Sequence, residues 1–448
     1  MRFSVYIVLG LLLCACTADD SFTIKGNDEV PDTFTALVWT RSFGGSGDES
    51  PRSIINTNDG GYAILGLTNS TDGDLNGKAL AVNDYWLLKL DAEGNLQWQR
   101  TYGGSKDDQG QQLIQTFDGG YALTGYAMSD DGDASNNEGF HDNWVLRLNA
   151  NGDVLWEKSF GFSGHDHSYD IIETADGGFF FSGFLDVTSS NGEGSTGRSR
   201  SATAHGVGEF WGTKIDADGN IQWRKFFGGT NNDRSFGVIA ANDGGLLLTG
   251  ASESDDFDIS DPKGSYDYWV VKVDKNGGFE WERSFGGSGI EQSHDIAKTA
   301  DGHYVIVGNT FSSDLQVGDN HGESDIWMVK FDDQGQMLWQ QNYGGSAFDA
   351  AHGVALAQDG GFLISGNSKS FDQDASTNFG ENDIWVIKTH ADGSLDWQMA
   401  FGGLGLDFGY DIVQALDGSI VVVGDTASTD FPGVSHKGGT DIVVLKLD

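Results

Sequence analysis

The chain has 448 residues and carries 67 acidic against 26 basic side chains, a formal net charge of -41. That balance excludes nucleic acid and a bare anionic lipid surface as partners, because both are polyanions. Its 66 glycines beside 4 prolines suit many tight turns between strands, and with both cysteines near the N-terminus, the body of the fold is expected to lack a disulfide, a thiol nucleophile and any Cys metal ligand.

Residues 1–15 read as a secretory signal: Arg2 precedes an apolar run from Val5 to Leu13 that is too short to span a bilayer. Leu13-Cys14-Ala15-Cys16 resembles the bacterial lipobox, which implies cleavage before Cys16 and a lipid on that residue. Thr17 follows, not the Asp that retains such proteins in the inner membrane. The resemblance therefore implies an outer-membrane lipoprotein facing the periplasm or the cell surface. Residues 16–36 are polar and acidic and are expected to form a flexible tether.

From residue 37 onward one signature recurs: Phe43-Gly44-Gly45, Tyr102-Gly103-Gly104, Phe160-Gly161-Phe162, Phe227-Gly228-Gly229, Phe285-Gly286-Gly287, Tyr343-Gly344-Gly345 and Phe401-Gly402-Gly403. Near-constant spacing over seven copies means one array. Each unit reads as four strands, a to d, with apolar and β-branched runs bounded by Asp-Gly-type turns. The last unit ends on strand c and lacks strand d; a matching strand stands at the start, Leu37-Val38-Trp39-Thr40-Arg41. The expected fold is therefore all-β: a seven-bladed β-propeller over 37–448, with four-stranded antiparallel blades and the last blade closed by the N-terminal strand. All 13 Trp fit this register. Seven lie five residues before the first signature glycine and six lie in strand c, so each is expected in packing between sheets.

The repeat resembles the seven-bladed propeller repeats of the delta-60 and SBBP kind, found in exported bacterial proteins. The resemblance covers residues 37–448 and implies fold and compartment without a settled activity.

Three charged positions recur in every unit. One acid follows the signature (Glu49, Asp108, Asp166, Asp233, Glu291, Asp349, Asp407). A second precedes the strand c aromatic by two (Asp84, Asp142, Glu209, Asp267, Asp325, Asp383, Asp441). A base follows in strand c (Lys89, Arg147, Lys214, Lys272, Lys330, Lys388, Lys446). Seven copies mark struts, not a catalyst, and a base between packed sheets needs partners to offset desolvation. The b–c loops carry a further pattern: Asp72-x-Asp74-x-Asn76, Asp131-x-Asp133, Asp256-x-Asp258 and Asp372-x-Asp374, followed by Asp142, Asp267 and Asp383 at position 12 in the last three. Alternating oxygens with a distal carboxylate resemble an EF-hand-type loop and point to calcium.

In a propeller the b–c and d–a loops share one face, and here they are long and varied while the opposite turns are tight. One position near the start of strand a varies beside invariant neighbours: Arg52, Gln111, Tyr169, Phe236, His294, His352 and Tyr410. This is the pattern of a ligand-reading funnel. Blade three has a longer b–c loop with Arg198, Arg200 and His205, read as a contact loop or a tolerated insertion. His165-x-His167, with Asp166 between, is a candidate metal pair. With no nucleophile elbow, phosphate loop or zinc-helix motif, no catalytic residue is expected. The reading is a non-catalytic, monomeric binding module for a protein or glycan, reaching the membrane only through its lipid. The alternatives are a glycosidase or lyase with its site at the funnel, and a structural spacer.

Overall fold

The computed structural model describes residues 37–75, 77–196 and 205–448. Cys16, Asn76, Arg198 and Arg200 lie outside them. The described residues form seven sheets of four antiparallel strands. In blade one strands a to d are Glu49–Asn56, Tyr62–Thr68, Asp84–Leu90 and Leu96–Tyr102, and the pattern repeats round the ring. In blade seven the strand order is Leu37–Phe43, Asp441–Leu447, Ile420–Thr426 and Asp407–Gln414. The first strand thus serves as the outermost strand of the last blade, in register from Thr40 opposite Leu445 to Phe43 opposite Ile442.

Alternation in strands b and c sends one set of side chains to each neighbouring blade, so both strands are buried along their whole length. The strand c tryptophans Trp86, Trp144, Trp269, Trp327 and Trp385 are fully buried. Each donates its indole N–H to the strand d residue thirteen positions on, as in Trp144 Nε1 to Glu157 Oε2 at 2.8 Å. Among the strand d tryptophans, Trp98 packs edge-on against Tyr121 of the next blade and Trp339 against Phe362, while Trp223 is buried and tilted on Phe180 of its own blade. Trp39 on Tyr62 makes the edge-on contact across the closure.

The recurring base has the same partner in all seven blades: the Asp of the a–b turn (Asp59, Asp118, Asp176, Asp243, Asp301, Asp359, Asp417), at 2.5–3.1 Å. Sequence reading treated that Asp only as a turn former. It also shapes the turn: Asp59 Oδ1 accepts from the Gly61 amide, and Gly60 takes φ +84°, a left-handed value that favours glycine. The base is buried and the Asp half-exposed, so each pair sits at a blade's rim with one member in water.

Asp301→Ala is predicted to cost about 1.5–3 kcal/mol, because it strands the buried Lys330 ammonium. Lys330→Met in the same background should restore part of the loss, since the uncompensated charge is then gone. Denaturant midpoints of the two variants check this; equal midpoints would contradict the strut reading.

Candidate functional site

The loop face is built from backbone amides held by buried carboxylates. The acid after each signature accepts the amide of the second signature residue, for example Gly45 N to Glu49 Oε2 at 2.8 Å and Phe162 N to Asp166 Oδ2 at 2.7 Å. In five blades it also accepts the hydroxyl that closes strand b, as Thr68 Oγ1 to Glu49 Oε1 at 2.7 Å. The acid before the strand c aromatic reaches the first signature glycine of the following blade. A Cβ on Gly44 would lie 2.1 Å from Asp441 Oδ1 and 2.5 Å from Glu49 Oε2, which is why the position is glycine. Two carboxylates therefore meet at each joint between blades. Burial raises Asp84, Asp142, Asp267 and Asp383 to about 6 and Asp166 to about 7. Asp84, Asp142, Asp267, Asp325, Asp383 and Asp441 each keep one buried oxygen with no hydrogen-bond partner.

The Asp-x-Asp pairs point back to the loop entering their own blade. Asp72 Oδ1 accepts from Ser46 N at 2.7 Å and Asp74 Oδ2 from Gly44 N at 2.9 Å. Asp131 and Asp133 do the same for Ser105 and Gly103, Asp256 and Asp258 for Thr230 and Gly228, and Asp372 and Asp374 for Ser346 and Gly344. In blade five Asp314 and the neutral Gln316 keep these bonds to Ser288 and Gly286, so the second position works as an amide acceptor whatever its charge. The alternation that looked like an ion loop also buries the next residue: Leu75, Ala134, Ile259 and Ala375 plug the core. The distal acids face the other joint of the blade: Asp142 Oδ2 accepts from Glu138 N, Asp267 Oδ2 from Lys263 N and Asp383 Oδ2 from Phe379 N. Asp-x-Asp and distal acid of one loop are thus not gathered round one point.

The funnel residues are brought together, and the backbone shows how. In every strand a the ladder to strand b skips one residue, and that residue is Arg52, Gln111, Tyr169, Phe236, His294, His352 or Tyr410. A β-bulge leaves its extra residue unpaired and re-aims it, here seven times. Ring centroids follow one another from Tyr169 to Phe236 (5.1 Å), His294 (5.5 Å), His352 (5.2 Å) and Tyr410 (5.7 Å). The Arg52 guanidinium lies 4.5 Å from the Tyr410 centroid. Burial lowers His294 to about 3 and also lowers His352, so both imidazoles are neutral near pH 7. His352 Nε2 is 2.9 Å from Asn367 Oδ1, which fixes its N–H there. A cavity of about 430 Å³ opens at this side of the funnel, lined by His294, His352, Phe348, Phe408, Tyr410 and Asn367 among others.

Beneath the ring lie three carboxyls the sequence reading did not single out, each one residue past a bulge. Asp170, Asp295 and Asp411 each accept two amides: that of the next residue (Ile171, Ile296, Ile412), and one from the adjacent blade (Val238, Val354, Ile54), all at 2.7–2.8 Å. They tie blade three to four, five to six, and seven to one. Desolvation, with repulsion from Asp411 added for Asp170 and Asp295, raises Asp170 to about 7 and Asp411 to about 6, and pushes Asp295 well above the ordinary 3.8.

His205 is buried, 3.1 Å from Glu209 Oε2 and stacked on Phe257 of blade four's loop, so it anchors the blade-three insertion. Asp166 is fully buried and bound to the amides of Phe162 and Asp186, which removes it from the expected His-Asp-His set.

No family model matches the chain, and no curated protein matches it. Among solved structures, Sqt1 from Chaetomium thermophilum is similar over 92% of this chain and 98% of its own, at 12% identity and a TM-score of 0.46. YCF48 bound to D1 peptide is similar over 93% and 97%, at 10% and 0.47. The α-L-arabinofuranosidase Arb93A from Fusarium graminearum is similar over 75% and 92%, at 10% and 0.43. They add nothing on function to what the seven sheets state about fold.

Carboxyls raised in the folded state make the native chain bind more protons than the unfolded one between about pH 4 and 7. Their stabilisation is complete below the unfolded value near 3.8 and is lost as pH rises through about 6–7. The rim carboxylates Asp59, Asp118, Asp176 and Asp301, lowered to about 2, have the opposite sign and lose theirs below about pH 4. The melting temperature is predicted to be higher at pH 5 than at pH 7.5 and to fall again below pH 4. A melting temperature that climbs from pH 5 to 7.5 would contradict this assignment.

Proposed function

We propose that the chain is a non-catalytic extracytoplasmic binding protein, tethered to a bacterial outer membrane through a lipid on Cys16, that takes a glycan or protein ligand on its loop-rich face as a monomer. The observation that carries the reading is the funnel cavity. Phe311, Phe348, Phe408 and Tyr410 supply aromatic surface, Gln292, Asn309 and Asn367 supply amides, and the imidazoles of His294 and His352 complete the wall. A pyranose presents an apolar C–H face and a rim of hydroxyls, which such a lining complements. This favours a glycan over a protein. The alternative of a glycosidase needs two opposed carboxyls, and among the described residues lining the cavity there is none. Asp425, raised to about 6 beside it, is engaged by Ser50 Oγ at 2.5 Å. The delta-60 and SBBP resemblance supports an exported setting.

The test is a glycan array and a protein-binding screen, followed by titration calorimetry. Phe408→Ala and His352→Ala are predicted to weaken binding by about ten-fold each, about 1.4 kcal/mol, the scale of one lost ring contact. Binding that survives the double variant would reject the funnel as the site, and turnover of a glycan would establish the enzyme reading.

We also propose that calcium reinforces this face at the joints between blades, where Asp142, Asp267 and Asp383 hold an unpartnered oxygen. A cation bound only by the folded chain raises its melting temperature. Chelator should therefore lower the midpoint at pH 7.5 and calcium restore it; an unchanged midpoint would leave a proton as the neutralising partner.

A further inference from the structure

One joint departs from the other six. At four joints a parallel backbone bridge links the end of a b–c loop to the following d–a loop, pairing Asp48 with Thr440, Tyr266 with Ile290, Ser324 with Phe348 and Asn382 with Leu406. Between blades two and three the bridged pair is His141 and His165. The bridge is backed by hydrogen bonds from Asp166 N to His141 O (2.7 Å) and from Phe140 N to Gly164 O (2.9 Å). His167 enters strand a two residues later. A feature present once in seven copies is not needed to hold blades together.

One ring nitrogen from each of His141, His165 and His167 falls within 4.8 Å of the others. His141 Nδ1 and His165 Nδ1 are 3.0 Å apart. Two nitrogens bound at about 2.05 Å to a tetrahedral ion stand about 3.3 Å apart, so this pair is within tenths of an ångström of that spacing, while the His167 nitrogen, inside 4.8 Å, has farther to move. Two of the three remaining ring nitrogens face an outer polar group. His141 Nε2 faces Asp107 Oδ2 at 3.6 Å, and Asp107 is itself held by Asn83 Nδ2 at 2.5 Å and Gln109 Nε2 at 2.9 Å. His167 Nδ1 lies 3.3 Å from the Tyr169 hydroxyl, while its Nε2 is buried without a partner. A carboxylate or hydroxyl on the far nitrogen is what orients a metal-binding imidazole. Tyr126 stacks on His167 at 3.8 Å and Phe140 on His165 at 5.1 Å, which limits ring rotation.

We propose that His141 Nδ1, His165 Nδ1 and His167 Nε2 form a binding site for a late first-row divalent cation of the zinc type, with Asp107 as the outer partner of His141. Three neutral imidazoles select such ions over calcium, which prefers oxygen. His165 is exposed, so the fourth position opens to solvent, where water or a ligand's donor atom completes the shell.

The experiment uses the untagged full chain with Cys14 and Cys16 replaced by serine, so that no thiolate competes. Zinc is titrated by calorimetry, and cobalt(II) is followed by its visible d–d absorption. One equivalent is expected, undisturbed by millimolar calcium, with a melting temperature that climbs with zinc concentration. His165→Ala, at an exposed ring, should abolish the cobalt spectrum while leaving the metal-free melting temperature unchanged. Asp107→Asn should weaken zinc about 10–100-fold. An unmutated triad that binds no zinc would overturn the site, as would an undiminished equivalent in His165→Ala or in a His141→Ala, His167→Ala pair.

Discussion

The fold depends on one pairing: the first described strand, Leu37–Phe43, hydrogen-bonded beside the last, Asp441–Leu447. Each blade buries the two faces of its sheet only because it has a neighbour on both sides. An open row of seven would leave two faces of Val, Ile and Leu in water and expose unpaired strand edges. Pairing these two strands makes the last blade a composite of residues distant in sequence. The Trp39–Tyr62 contact and the amide of Ile54 on Asp411 extend the same seam outward and inward.

Closure fixes a second constraint. Seven sheets converging on an axis bring their strand a backbones together, and the bulge in each strand relieves the crowding by turning one residue toward the axis. The resulting ring is chemically uneven, with an aromatic and imidazole arc from Tyr169 to Tyr410 capped by Arg52. The carboxyls just past three of these bulges bind amides across the blade seams, at the cost of being raised well above ordinary carboxyl values. The chain therefore uses acids in two opposite ways: lowered in pKa at the rim, where each meets a base, and raised near the axis and at the joints, where burial outweighs the amides each accepts. A net charge of -41 is the sum of both populations and says little about either.

Much of this was legible in the residues. The seven signatures, the thirteen tryptophans and the missing last strand state blade number and closure, because each is a repeated local pattern. The funnel position was legible as variation beside constancy, although the bulge that produces it leaves no mark in the sequence. What stayed hidden was contact between blades. Asp59 and its equivalents read as turn formers, since the base they pair with lies 29 to 38 residues on. The Asp-x-Asp alternation suggested a closed ion loop, yet Asp131 and Asp142 serve opposite joints. Asp166 was grouped with its flanking histidines, and strand alternation sends it to the interior while His141, from the preceding blade, takes its place.

Hydrogen exchange measured by mass spectrometry tests the closure most directly, since it reads the amides of the seam without altering them. The account predicts that peptides covering residues 37–43 exchange as slowly as those covering Leu96–Tyr102 and Met337–Tyr343, the outer strands of blades one and five. Exchange of residues 37–43 at the rate of an unstructured segment, with the other outer strands protected, would contradict it.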